Sequence, residues 1–221
     1  MTVFDILGQY RIGLLDGLGV TLKLCAIIWF LGIVLGTGVG AAGAKWKVAV
    51  GIPTRSISFL LSGVPILVFL FWMHYPLQAM LHVVIDPFYT AAATLTIVNT
   101  FAVADLVRTV LEDFPAEYVI AARVCGLPWH QTFLRIQLPL LLRRILPNLL
   151  TIQVNILQAT LFASLISVEE LFRVAQRINS EVYRPIEVYS TLAVFFLAIC
   201  LPLNGLALWL RSRYTRNISE H

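Results

Sequence analysis

The sequence predicts an all-α membrane protein with five transmembrane helices, its N-terminus outside and its C-terminus in the cytoplasm. Three observations carry this reading. Hydrophobic residues make up 59% of the 221 residues and charged residues only 13%, where a soluble domain carries about 25% charged. Five apolar stretches come close to the roughly 20 residues that a helix needs to cross a bilayer. Lysine and arginine gather on one side of those stretches. Barrel strands need only about 9–11 residues each, so the runs are too long for a barrel, and helices are the remaining way to span.

Residues 1–16 read as an interfacial segment with Phe4, Ile6 and Leu7 turned toward lipid. An early aspartate and no cationic start set it apart from a cleaved signal peptide. The first span covers about 17–43. Gly32, Gly36 and Gly40 recur along it every four residues, which lets a second helix backbone come close. Lys23 sits near its outer end, within snorkelling reach of the surface. The second span is about 57–75 and the third about 89–111. Asp105 and Arg108, three apart near the inner end of the third, can pair along one helix face. A loop over 112–146 follows, then spans at about 147–168 and 188–210, and a cytoplasmic tail over 212–221.

With the N-terminus outside, the inner side holds Lys45, Lys47, Arg55, Arg108, Arg123, Arg135, Arg143, Arg144, Arg211, Arg213 and Arg216. The outer side holds Arg11, Arg173, Arg177 and Arg184. The opposite orientation would reverse that excess.

Several function classes are excluded. The net charge of +4 is scattered between apolar runs and forms no basic face, so no nucleic-acid partner is expected. Cys25, Cys125 and Cys200 are far apart and odd in number, which gives neither a disulfide framework nor metal-ligand spacing. No Ser/His/Asp or Cys/His set suggests catalysis, and no cofactor or metal is expected. The chain lacks a glycine-rich phosphate loop ending in Lys-Ser/Thr, so any ATP hydrolysis belongs to a partner.

The loop carries the most information. "AEYVIAARVCGLPWHQTFLRIQLP", 116–139, reads as two short helices broken at Gly126-Leu127-Pro128. Tyr118, Ala121, Ala122 and Cys125 share one helical face. Gly126 ends the first helix and Pro128 starts the next. A charged helix pair between spans suits insertion into a groove on a partner.

Ala121-Ala122, Gly126 and then Ile136-Gln137-Leu138-Pro139 resemble the EAA loop of permease subunits of ABC importers. Other stretches are similar to the polar amino-acid-uptake branch of that family: Gly19-Val20-Thr21-Leu22, Gly63-Val64-Pro65-Ile66-Leu67-Val68, the Asp105/Arg108 pair, Pro115, Arg143 and Pro147. Departures are also present. Ile120 stands where the loop's glutamate falls, Glu117-Tyr118 replaces a Gly-Gln, and Ser62 replaces an arginine. Gln158 replaces a lysine in the fourth span, and Leu161 a serine.

The resemblance implies a type I ABC-importer transmembrane domain over 17–211 in a bacterial inner membrane. It further implies a cytoplasmic ABC ATPase dimer that binds the ATP, a second permease subunit, an extracytoplasmic solute-binding protein, and a polar amino acid or related small solute as cargo. Carried over residue by residue, coupling to the ATPase falls on Glu117, Tyr118, Ala121, Ala122, Arg123, Gly126, Leu127, Ile136, Leu138 and Pro139.

Polar residues inside spans are costly and therefore informative. Asn155, Gln158 and Thr160, near the middle of the fourth span, are candidates for a polar path between subunits; interhelical hydrogen bonding is the alternative. Glu169, Glu170, Arg173 and Arg177 follow as a solvated outer helix that can meet a binding protein. A non-transporting scaffold or regulatory subunit of the same fold is the rival function. A secondary transporter is disfavoured, because no internal repeat is found.

Overall fold

The computed structural model describes residues 3–215, and the regular elements among them are all helical. A short α1 (Val3–Gln9) leads into α2 (Arg11–Lys45). A π-helical turn (Lys47–Gly51) then joins α3 (Ile52–Gly63), α4 (Ile66–His74) and α5 (Pro76–Leu81). The central helix is α6 (Pro87–Glu112), its first turn capped by Asp86, whose Oδ1 accepts from the Phe88 N–H at 2.8 Å. Next come α7 (Ala116–Val124), α8 (Trp129–Thr132), a second π-helical turn (Phe133–Gln137) and α9 (Leu138–Ala159), which tightens into a 3₁₀ end (Thr160–Ile166). The amphipathic α10 (Leu171–Val182) and the long α11 (Pro185–Thr215) complete the chain.

Four helical runs are long and apolar enough to cross a membrane: Arg11–Lys45, Pro87–Glu112, Trp129–Ile166 and Pro185–Tyr214. The expected second span is not a straight helix. It is the pair Lys47–Gly63 and Ile66–Leu81, bent by 99°. Pro65 has no N–H to donate and pushes the residue before it out of the helical region. Val64 accordingly sits at φ −98°, ψ 125°.

The fourth span also differs from its expected 147–168. Its helix begins at Trp129, so the second of the two expected loop helices is the foot of the span itself. Pro139 does not end that helix, because a wider turn precedes it: the Leu138 N–H donates five residues back, to the Phe133 carbonyl. This moves a carbonyl away from the proline ring, with which an ordinary turn would clash. The π turn before Pro53 works in the same way, with the Ile52 N–H donating to the Lys47 carbonyl.

The glycine face of α2 packs on α6 as its spacing predicts. A Cβ on Gly36 would lie 2.7 Å from the Thr100 carbonyl oxygen, and one on Gly40 2.6 Å from the Ala104 carbonyl oxygen. The two backbones therefore touch, and close approach replaces side-chain interdigitation. Residues 11–16 belong to this helix rather than to the interfacial segment. Ile6 is buried against Leu14, Leu171, Val174 and Val188, not turned to lipid, because the starts of α2, α10 and α11 close around it. Leu7 packs partly on the same cluster. The Phe4 side chain and Arg216 lie outside the described residues. Exposed apolar residues such as Phe30, Val34, Val194, Leu197 and Leu201 leave broad faces of α2 and α11 for lipid or another chain.

Candidate functional site

The loop expected to meet a partner is built around one backbone device. The Leu127 N–H donates to the Ala122 carbonyl, and the Gly126 N–H to the Arg123 carbonyl, both at 3.0 Å. This is a Schellman closure, which needs a left-handed residue, and Gly126 sits at φ 73°. Pro128 then starts the long helix leading to α9. Glu117 lies exposed in the first turn of α7, where the positive end of the helix favours a carboxylate, and Arg123 lies in its last turn.

The expected docking face divides. Tyr118, Ala121 and Cys125 are exposed, whereas Ala122 is only 4% exposed and lies inside the chain. A lone helix has one apolar face by periodicity, but here α7 folds back on α8 and the π turn, and that inner side takes Ala122. The outward side carries apolar groups that the sequence reading did not select: Val124 is 83% exposed and Trp129 79%. Ile120, in the place of the loop's glutamate, is exposed as well. Leu127, Ile136 and Leu138 are half-buried and Pro139 is exposed. The last three lie on the long helix, away from the tip.

The expected path residues also separate. Asn155 and Gln158 are exposed on α9, while Thr160 is fully buried and donates its hydroxyl to the Leu157 carbonyl at 2.7 Å. Asn155 and Gln158 continue instead with Thr151 and Asn148, also exposed. Steps of three and four put these four on one helix face. The face is polar along much of a membrane helix and is not covered by this chain.

The buried polar groups form a separate framework that the sequence reading missed. Asn99 on α6 and Gln153 on α9 exchange amide hydrogen bonds at 3.0 and 3.1 Å, and the Asn99 amide also donates to the Ile28 carbonyl on α2 at 3.1 Å. The signal available was a mid-span asparagine near the level of a glycine: Gly32 leaves the space that Asn99 fills. At the C-terminal end of α6, buried Arg108 pairs with Asp105, as its spacing predicts, and with Glu112 at 2.9 Å. Lys23 reaches the Phe88 ring, 5.5 Å from its centroid.

Glu170 is not part of a solvated helix face. It is fully buried beside Thr21, and its Oε1 caps α10 by accepting the Arg173 N–H at 3.0 Å. Burial pushes its carboxyl up to about 7, against weaker opposing hydrogen bonds from Phe172, Arg173 and Thr21. Glu169, Arg173 and Arg177 do form an exposed ion-paired patch.

These features define a class. The chain is a polytopic helical membrane protein with a rigid, hydrogen-bonded interior, an uncovered polar face on one span and a protruding helix pair with an apolar tip. Such a molecule is built to join other subunits. The chain belongs to the family described as the binding-protein-dependent transport system inner membrane component, whose model matches residues 31–216.

Among curated relatives, it is 30% identical over 201 residues to the octopine transport system permease protein OccM of Rhizobium radiobacter, covering 87% of this chain and 82% of that one. It is 28% identical over 218 residues to the histidine/lysine/arginine/ornithine transport system permease protein HisQ of Salmonella typhimurium, covering 94% and 95%. To the glutamine transport system permease protein GlnP of Escherichia coli it is 32% identical over 146 residues, 66% and 67% of the two chains. A crystal structure of an amino acid ABC transporter shares the fold with a TM-score of 0.82 at 23% identity, covering 95% of this chain and 98% of the other. The MetNI methionine ABC transporter in an inward-facing form follows at 0.66 and 18%, covering 94% and 96%.

Proposed function

We propose that the chain is one of two permease subunits of an ATP-driven importer and forms half of the path for a polar amino acid or related small solute. The polar face of α9, Asn148, Thr151, Asn155 and Gln158, carries the reading. Amides facing hydrocarbon are expensive; amides facing a second permease subunit and a water-filled path are not. The permease names of the relatives support an amino-acid cargo.

The chain performs no chemistry in this scheme. An extracytoplasmic binding protein delivers the solute, and a cytoplasmic ABC ATPase dimer binds and hydrolyses ATP. The α7–α8 pair docks in a groove on the ATPase and moves with it. Because α8 continues into α9, that motion passes along one helix to the polar face, and the path opens to alternate sides. The N-terminus lies outside, which puts the pair in the cytoplasm. In a variant without the native Cys25, Cys125 and Cys200, single cysteines replacing His82 and Ser212 then label from opposite sides of the membrane.

The test is uptake. Vesicles holding this chain with its co-expressed neighbours should accumulate a labelled amino acid only with ATP and loaded binding protein, and Gln158→Leu should cut the rate with assembly intact. Absence of ATP-dependent uptake with every partner set would favour the scaffold reading instead.

A further inference from the structure

At the arginine-rich end of the molecule, a cavity of about 570 Å³ opens between the ends of α6, α9 and α11 and the start of α7. Its charged lining is uneven: Arg143, Arg144 and Arg211 against the one carboxyl group of Asp113. Among the described residues, Arg143 and Arg144 have no carboxylate at ion-pair distance. Arg143 lies over the Tyr214 ring, 5.7 Å from its centroid, and Arg144 Nη1 donates to the Asp113 carbonyl at 3.4 Å. Both contacts hold a guanidinium in place without neutralising it. Guanidinium groups match phosphate oxygens in pairs of parallel hydrogen bonds. Leu106, Val110, Phe114 and Leu140 give the lining an apolar stretch, beside polar Thr109 and Asn148.

A soluble anion needs only the cationic half of such a pocket. A phosphate carried on an acyl chain uses both halves, and basic pockets at the ends of spanning helices suit anionic headgroups. We propose that this cavity binds the phosphate of an anionic phospholipid, with its chain along the apolar wall. The cavity shares Asn148 with the α9 face proposed above as the path, and the choice of the cytoplasmic leaflet rests on the orientation proposed there. Pro115 and Tyr118 form part of the same lining. A seated headgroup therefore holds the base of the protruding helix pair against α9 and α11.

The test uses the importer complex purified with its co-expressed neighbours, stripped of lipid, and titrated in native mass spectrometry with phosphatidylglycerol or phosphatidylcholine. Phosphatidylglycerol should bind more tightly by about tenfold, the worth of one to two arginines near a headgroup. The Arg143→Gln/Arg144→Gln double variant should lose that preference and keep its phosphatidylcholine binding. If the double variant does not assemble, Leu140→Trp fills the apolar wall without removing charge and should lower phosphatidylglycerol binding. Equal affinity for the two lipids, or a variant that keeps the preference, overturns the proposal. Displacement of phosphatidylglycerol by millimolar inorganic phosphate overturns the lipid source and assigns the site to a soluble phosphate. Binding is read without transport, so a complex that fails to import still decides the question.

Discussion

The side-chain amides of Asn99 and Gln153 hold each other from two different spans, each donating to the other's carbonyl oxygen at 3.0 and 3.1 Å. Both residues are buried, Asn99 completely. Replacing Asn99 with leucine strands the Gln153 amide in the interior, and replacing Gln153 leaves Asn99 only its bond to the Ile28 carbonyl. We expect Asn99→Leu and Gln153→Leu each to cost about 1–3 kcal/mol, the penalty of a buried unpaired polar group. The double variant should lose less than the sum of the two. Thermal melts of the detergent-purified protein measure this, and strict additivity would show that the pair is not coupled.

Gly36 offers a second test, because the atom facing it is backbone. An added methyl group would meet the Thr100 carbonyl at 2.7 Å, and a carbonyl in a helix cannot rotate away. Gly36→Ala should force α2 and α6 apart and destabilise the fold by about 1–3 kcal/mol. Gly38, two residues on, has nothing within 4 Å, so Gly38→Ala should be neutral or slightly stabilising. Survival of a monodisperse peak after heating compares the two.

The helix pair separates folding from docking. Gly126 has open space around it, so the burden of Gly126→Val is the left-handed backbone, about 1–2 kcal/mol; Gly126→Asn tolerates that conformation and should behave almost as wild type. Val124→Asp alters a residue already 83% exposed and should leave the protein at normal levels in the membrane. The same change should release the ATPase on purification. By contrast, Ala122→Asp buries a charge inside the pair itself and disrupts the loop, whatever docks there. A Val124→Asp protein that retains its ATPase would remove this face from the coupling surface.

Glu170 makes stability depend on pH. Its carboxyl is held at about 7 in the fold, against an ordinary 4.5. Between those values the folded chain keeps a proton that the unfolded chain has lost. The resulting stabilisation is complete below pH 4.5, declines as pH rises, and is gone above about pH 7. Glu170→Gln retains an oxygen to cap α10 but has nothing to titrate. It should lose the part of the pH dependence that Glu170 supplies across this window and be more stable than wild type at pH 8, by on the order of 3 kcal/mol. Melting temperatures at pH 5 and pH 8 for both proteins check this.

The amino-acid sequence by itself determined the helical class and where the long apolar runs lie, because the length and apolarity of a run decide whether it can cross a bilayer; that the second run bends by 99° and that the fourth helix starts at Trp129 were decided by the fold. The sequence also determined local features that depend only on neighbours along the chain: the Gly32/Gly36/Gly40 packing face, the Asp105–Arg108 pair and the left-handed turn at Gly126. Tertiary structure decided which surface covers which. Periodicity locates a polar or small residue on a helix face but does not say what lies opposite. Ala122 therefore turned inward, Glu170 became buried beneath Thr21, and Thr160 separated from Asn155 and Gln158. Cys25 and Cys200, remote in sequence, meet in one apolar cluster with Val154 and Leu157. The Asn99–Gln153 bond was invisible for the same reason: a hydrogen bond needs two partners, and only the packing of α6 against α9 brings these two together.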